Sequence, residues 1–530
     1  MPRFPDRCRG LPVLALLALS GCGAEPPSVV LVTVDTLRAD AVGFMGDASA
    51  RTPVLDALAR SGTVFDRAMT PIPRTTPGVG SLLTGLWPHH HGSREVGNPL
   101  REVETLAMIL GRRGYATLGV SSNPAAGRLQ RVDRGFERWL DSSDLAGGAT
   151  GVRGGKPGWA TTEGALALLD DLDRTTPFFL WVLYFDPHFP YLPPSPWAEG
   201  VRAPACRALY RELAAGLPLG GVFADLEGAA SRAVADCRDL YAAEVTYVDS
   251  EIGRLLAAVR GRRPEGPEPL VVVTADHGEN LGEDGLFFEH GDNAHDAGLH
   301  VPLVFSGPGI ASGRRDAGAV SLVDVPPTLL SLLALGEESA GMDGIDLSRR
   351  MASGEPPREG PRTVFAESAS ALWNQAFGRL TTGRLGARNC LNGARYTLCR
   401  VAGEPGVDRL HDRERDPRLS TDVAAEHPAE TARLARAWER WPPESARDRA
   451  AMRGSFKLLA RPRLEGGYAL TLHDLESDPG EVRDVRGAHP EVFEDLARDL
   501  EAWAAELPTG SETLLDPEIV EALRSLGYLE

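Results

Sequence analysis

The chain has 530 residues, a formal net charge of −18, 42% hydrophobic residues and a quarter charged ones. That length and balance argue against disorder and leave material for more than one domain. The acidic excess argues against a nucleic-acid partner, because binding a phosphate backbone needs clustered Lys and Arg.

The N-terminus has the parts of an export signal: Arg3, Arg7 and Arg9, then an apolar stretch from Leu11 to Leu19. That stretch is too short to span a bilayer, which takes about 20 apolar residues. It ends in Leu19-Ser20-Gly21-Cys22, which resembles a bacterial lipobox. Residues 1–21 then read as a signal peptide, Cys22 as the lipidated first residue of an anchored protein, and 22–27 as its tether. The alternative is an ordinary signal peptide cut nearby. No later segment is apolar enough for a membrane helix. Once Cys8 and Cys22 are set aside, Cys206, Cys237, Cys390 and Cys399 remain. An even remainder outside the cytoplasm favours disulfides, and the local pairings Cys206–Cys237 and Cys390–Cys399 are preferred among the three possible.

From residue 28 to about 370, apolar strand-like runs alternate with amphipathic helical stretches. The runs are Val29–Val34, Ala116–Ser121, Phe178–Tyr184, Leu270–Ala275, Leu303–Ser306 and Thr363–Ala366. Helices are expected at Thr52–Ser61, Leu106–Arg113, Trp159–Leu172, Asp239–Val259 and Pro326–Leu335. This alternation predicts an α/β/α sandwich built on a large, mostly parallel sheet.

The tail, 371–530, differs. Leu410-His411-Asp412 through Asp416-Pro417 recurs as Leu472-His473-Asp474 through Asp478-Pro479, an offset of 472 − 410 = 62 residues. The register continues through Asp422-Val423 and Asp484-Val485, His427-Pro428 and His489-Pro490, and Trp441 and Trp503. So many coincidences in one register predict an internal duplication, spanning about 395–441 and 457–503. Two copies are too few for a solenoid. His411 and His473 repeat within a turn-and-cap pattern and read as structural.

Three segments carry the chemistry. Asp35 follows the first apolar run; Thr75-Thr76-Pro77-Gly78-Val79-Gly80-Ser81-Leu82-Leu83-Thr84-Gly85 comes next; Asp276-His277-Gly278-Glu279 follows the run Leu270–Ala275. In an open α/β sheet, ligands bind beyond the carboxyl ends of the strands. Two acids, an imidazole and an alcohol meeting there suit a divalent cation holding an activated hydroxyl. In these segments the chain resembles the sulfatase-like branch of the alkaline phosphatase superfamily, which includes phosphonate monoester hydrolases and lipoteichoic acid synthases. The resemblance implies a smaller C-terminal α+β subdomain with antiparallel strands, holding one strand, turn and helix element that here appears twice.

Pro77 and the run Ser81–Gly85 match the family's nucleophile motif and place the nucleophile on Thr75. Sulfatases carry Cys or Ser there, converted to formylglycine, and Arg four positions on; here stand Thr75 and Val79. Threonine cannot become that aldehyde, and it is what phosphodiesterase and phosphoglycerol-transferase relatives use. Thr76 is expected to cap a helix starting at Pro77, aiming N–H groups at an oxyanion. The resemblance makes Asp35, Asp276 and His277 metal ligands, with the Thr75 hydroxyl as the fourth. Imidazole in place of the family's frequent Asn favours one Mn²⁺ or Zn²⁺ over Ca²⁺. The family's second Asp is replaced by Thr36.

His188, in Asp186-Pro187-His188, resembles the family's leaving-group histidine and is expected to protonate the departing alcohol. His290 stands where sulfatases often carry an anion-binding Lys, and reads as catalytic and substrate-binding. Asn123 follows the strand that in the family is succeeded by Lys and His, and is a candidate substrate contact. Of His89, His90 and His91, the last reads as structural and the others as surface residues. Together these features imply an exported, metal-dependent hydrolase of small anionic esters or glycans, on phosphorus through Thr75. The alternatives are a sulfuric ester hydrolase without formylglycine, and a lipoprotein that binds a glycan or partner without turnover.

Overall fold

A computed structural model describes residues 25–507, apart from 47–50, 97, 149–154, 215–228, 284–286, 292, 354–361, 369–387, 393–394, 402–407, 413–414, 416–420, 441–446 and 464–465. The expected leader and Cys22 lie outside the described residues. Among those residues no helix is long and apolar enough to cross a membrane.

The chain opens with β1 (Val29–Val34), then β2 (Gly62–Met69), β3 (Ala116–Ser121), β4 (Arg138–Leu140), β5 (Phe178–Tyr184) and β6 (Leu270–Ala275). The short strands β7 (Asn280–Leu281) and β8 (Phe287–Glu289) pair as a ribbon, and β9 (His300–Val301), β10 (Leu303–Ser306) and β11 (Arg314–Ser321) follow. Nine of these form one sheet in the order β11-β2-β10-β6-β1-β5-β3-β4, with β9 on β2. All neighbours along that order are parallel except at β10, which runs against both β2 and β6. β1, β5 and β6 are buried along their whole length. Their β-branched and aromatic side chains suit a sheet covered on both faces.

The strands with continuous apolar runs lie where the sequence puts them. β2 and β11 carry Asp66, Arg67, Arg314, Arg315 and Asp316 and give no such run; β11 alternates between partly exposed and exposed positions before becoming buried. The strand expected at Thr363–Ala366 is found at Val364–Glu367 (β12), but it joins a different sheet. It pairs antiparallel with β16 (Arg449–Arg453), and the order β12-β16-β17-β18 forms a four-stranded antiparallel sheet with β17 (Phe456–Pro462) and β18 (Tyr468–Asp474). An apolar run identifies a buried strand without naming its partner.

A second small sheet comprises β13 (Arg388–Asn392), β14 (Tyr396–Val401) and β15 (Asp408–Asp412). The two tail segments repeat their bonds at the same offset. Leu410 N–H donates to Asp422 and Leu472 N–H to Asp484; Val423 N–H donates to Leu410 O and Val485 N–H to Leu472 O. The helices Pro428–Arg440 and Pro490–Ala504 then follow in matching positions. His411 Nδ1 donates to Thr421 O, and His473 Nε2 meets Thr471 Oγ1 of its own strand, so each bonds within its own copy. Cys206 and Cys237 form a disulfide that fastens the helix Pro204–Ala214 to the long helix Ala229–Arg262. The register of β13 and β14 sets Cys390 opposite Cys399, which is disulfide-bonded; the side chain of Cys390 lies outside the described residues.

Candidate active site

The register of the central sheet decides what meets at its carboxyl edge. Val34 pairs with both Tyr184 and Ala275, so Asp35, Phe185 and Asp276 leave the sheet side by side. On the far side of β5, Ser121 pairs with Leu183, which brings Asn123 to the same edge. The nucleophile segment arrives on helix α2 (Thr75–Thr84), which follows α1 (Pro53–Ser61) and β2 and is buried at every position. Its approach is close: a Cβ on Gly78 would stand 2.6 Å from Asp276 O, so only glycine admits the helix this near the strand end.

Helix α2 begins two residues earlier than the expected start at Pro77. Thr75 is its first residue and Arg74 the N-cap, so Thr76 lies inside the first turn. The Thr76 hydroxyl donates to Ala125 O at 2.7 Å instead, tying α2 to the Asn123 loop. A tertiary acceptor has replaced the local cap. Val79, at the family's Arg position, is buried in the main core.

Asp35, Asp276 and His277 bring one ligand atom each within 4.8 Å of the others, and all three are fully buried. His277 Nε2 lies 3.5 Å from Asp276 Oδ2, 3.7 Å from Asp35 Oδ1 and 3.3 Å from Thr75 Oγ1. His277 Nδ1 donates to Gly278 O at 2.8 Å, which leaves the lone pair on Nε2, facing the two acids. Asp276 Oδ1 accepts the N–H groups of His277 and Thr36, while its buried Oδ2 has no hydrogen-bond partner among the described residues. Burial, opposed by those N–H bonds, pushes the Asp276 carboxyl up to about 7. Two carboxylates and a neutral imidazole, buried with one oxygen unsatisfied, fit a divalent cation.

Asn123 Nδ2 donates to Asp35 Oδ2 and lies 3.4 Å from Thr75 Oγ1, so it touches both the acid and the alcohol. His188 and His290 complete a ring of imidazoles: the His277–His290 centroids are 4.3 Å apart and the His188–His290 centroids 5.3 Å. His188 Nδ1 donates to Phe189 O, and His290 Nδ1 to Glu279 Oε1. In all three rings Nδ1 is thus anchored, and at His277 it is Nε2 that faces the acids and Thr75.

Several residues were not singled out from the sequence. Glu279, three positions after Asp276, is fully buried and orients His290. Thr36, standing where the family has its second Asp, has a left-handed backbone (φ 55°) and a buried hydroxyl with no partner among the described residues. A β-branched residue in that region is strained, and such strain concentrates at sites. Tyr241, on the helix Ala229–Arg262, holds this turn by donating to Thr36 O and accepting from Arg38 N–H. Arg38 in turn donates to Glu279 O. The available signal for Thr36 and Glu279 was their place beside the metal-ligand candidates.

A sulfatase family model matches residues 27–335. The chain belongs to the sulfatase family. A sulfatase of Formosa agariphila is 24% identical over 445 residues, covering 74% of this chain and 82% of the relative. Among solved structures, a protein described with glycosaminoglycan metabolism in Bacteroides thetaiotaomicron superposes with a TM-score of 0.61 at 18% identity, covering 94% of this chain and 99% of its own. The phosphonate monoester hydrolase of Silicibacter pomeroyi superposes with a TM-score of 0.51 at 24% identity, covering 78% of this chain and 94% of its own. The chain is therefore a hydrolase of sulfuric or phosphoric esters in the alkaline phosphatase superfamily, a metal-dependent group. That membership sets aside the reading as a binding lipoprotein without turnover.

Proposed function

We propose that the enzyme hydrolyses phosphate or phosphonate esters with Thr75 as nucleophile. One observation carries this: a threonine, which cannot yield formylglycine, places its hydroxyl 3.3 Å from His277 Nε2 at the buried acidic pair. Asp35, Asp276 and His277 would hold the cation, with the Thr75 and Thr36 hydroxyls as further oxygens. Its charge would favour the deprotonated Thr75 hydroxyl and offset charge on the phosphoryl oxygens. Thr75 Oγ1 attacks phosphorus in line, forming the O–P bond as the ester oxygen departs. Protonated His188 gives that oxygen its Nε2 proton. Asn123 Nδ2, His290 Nε2 and the N-terminal turn of α2 bind the non-bridging oxygens. Water then cleaves the phosphothreonine and restores Thr75. The nitrogen donor from His277 favours Mn²⁺ or Zn²⁺ over Ca²⁺.

A second reading keeps the site and changes the central atom to sulfur. The sulfatase relative supports it, since this fold accommodates both kinds of ester. Aryl phosphate, phosphodiester, phosphonate and sulfate esters, with sugar-borne esters among them, should be compared with Mn²⁺ or Zn²⁺ present. Faster turnover of the phosphorus esters, lost about 10³-fold or more in Thr75→Ala, is expected. Preference for sulfate would establish the second reading, and turnover surviving Thr75→Ala would remove the nucleophile.

We also infer that the enzyme is exported and held by a lipid on Cys22. The Cys206–Cys237 disulfide supports an oxidising compartment. Chain geometry supports an orientation too: the tether from Cys22 spans at most about 20–25 Å, and β1 carries the chain about 20 Å further to Asp35, which favours a site facing away from the membrane unless the domain lies on its side.

A further inference from the structure

His89 and His90 open a second cluster, on the one-turn helix α3 (Pro88–His91) that follows α2. The sequence reading put both on the surface, but only His90 is exposed. His89 is 5% exposed, and neither of its ring nitrogens has a hydrogen-bond partner among the described residues. Glu506, just past the helix Pro490–Ala504 of the tail, reaches the same place. One ligand atom from each of His89, His90 and Glu506 lies within 4.8 Å of the others.

Two further features are those of a ligand set. His90 Nδ1 donates to Asp343 Oδ2 at 2.8 Å, and the same oxygen accepts Trp87 N–H at 2.7 Å. A carboxylate on one ring nitrogen fixes the tautomer and leaves Nε2 as a donor to a metal. Adjacent side chains on a helix normally diverge by about 100°. Here the two rings nonetheless lie 4.2 Å apart, inclined by 60°.

We propose that His89, His90 and Glu506 bind a second divalent transition metal, Zn²⁺ by its chemistry, with Asp343 orienting His90. Two imidazoles and a carboxylate suit tetrahedral zinc with a fourth position left to water, at bond lengths of about 2.0–2.2 Å. Glu506 is exposed, so its side chain can close onto the ion. The ten residues of α2 separate this cluster from Thr75 by about 15 Å along the helix, so it is a site of its own. The ion would join α3 of the catalytic domain to the end of the tail helix Pro490–Ala504, beside Trp503, whose ring lies 5.9 Å from that of His89.

The test uses the full chain stripped with a chelator, dialysed against Zn²⁺ and read by elemental analysis, with Cu²⁺ quenching of tryptophan fluorescence as a second readout. The His277→Ala chain, deprived of the catalytic imidazole, should retain a single Zn²⁺ and show quenching. Adding His90→Ala or Glu506→Gln, both at exposed positions, should weaken that Zn²⁺ by about tenfold or more and abolish a Zn²⁺-dependent rise in melting temperature. His90→Ala alone should keep Mn²⁺ binding and ester turnover. A His277→Ala chain without zinc, or zinc held equally by His90→Ala and Glu506→Gln, would overturn the proposal. So would loss of turnover in His90→Ala. Failure of the catalytic reading would show itself separately, as Mn²⁺ retained in His277→Ala.

Discussion

A buried ion pair helps tie the parallel-sheet domain to the tail, and replacing Glu367 with Gln tests it. Glu367, at the end of β12, receives two bonds of 2.7 Å from Arg94, which follows α3; their side chains are 2% and 3% exposed. Arg447, also buried, donates to Ser368 O and Arg94 O and pairs with Glu95. Burial opposes the charge on Glu367, but Arg94 and Arg447 outweigh it and hold the carboxyl down at about 2, against an ordinary 4.5. A folded value below the unfolded one stabilises fully above the unfolded pKa and is lost as pH falls through the folded one. A difference of about 2.5 units at about 1.36 kcal/mol each gives about 3 kcal/mol. That agrees with the cost of breaking a buried pair, about 3–5 kcal/mol. Urea unfolding followed by tryptophan fluorescence should therefore show Glu367→Gln about 3 kcal/mol less stable at pH 7. The gap should shrink to under about 1 kcal/mol near pH 2.5, with the change falling between pH 4.5 and 2. A gap independent of pH, or one widening in acid, would refute the electrostatic account.

Thr76→Ala should lose about 1–2 kcal/mol, the worth of its buried bond to Ala125 O, with turnover intact; a dead Thr76→Ala beside an active Thr75→Ala would move the nucleophile by one residue. His277→Ala should lose Mn²⁺, measured by elemental analysis, together with ester turnover. Gly78→Ala should impair turnover more than stability, because a new Cβ would push α2 away from Asp276 O; kinetics equal to wild type would contradict the close packing. Anchored enzyme and soluble Cys22→Ala should turn over a soluble ester equally. Activity confined to membrane lipids, and lost with the anchor, would reverse the inferred orientation.

Much of the fold was legible because five strands are continuous apolar runs, and burial on both faces leaves that mark whatever the neighbours are. The same runs fixed where Asp35 and Asp276 lie, since a residue following a parallel strand comes out at the sheet's carboxyl edge. Duplication in the tail was likewise a property of the letters alone. Tertiary structure decided the rest. Partner choice put β12 in the antiparallel sheet, because an apolar run does not encode its neighbour. The register of β1 with β5 and β6 turned separate motifs into a cluster within bonding distance. The bond from Thr76 to Ala125 O displaced the expected cap, a competition between local and distant acceptors that only packing settles. His89 lost its place on the surface for the same reason: it packs against Trp503, more than 400 residues away (503 − 89 = 414), and no local pattern records a contact made by chain folding.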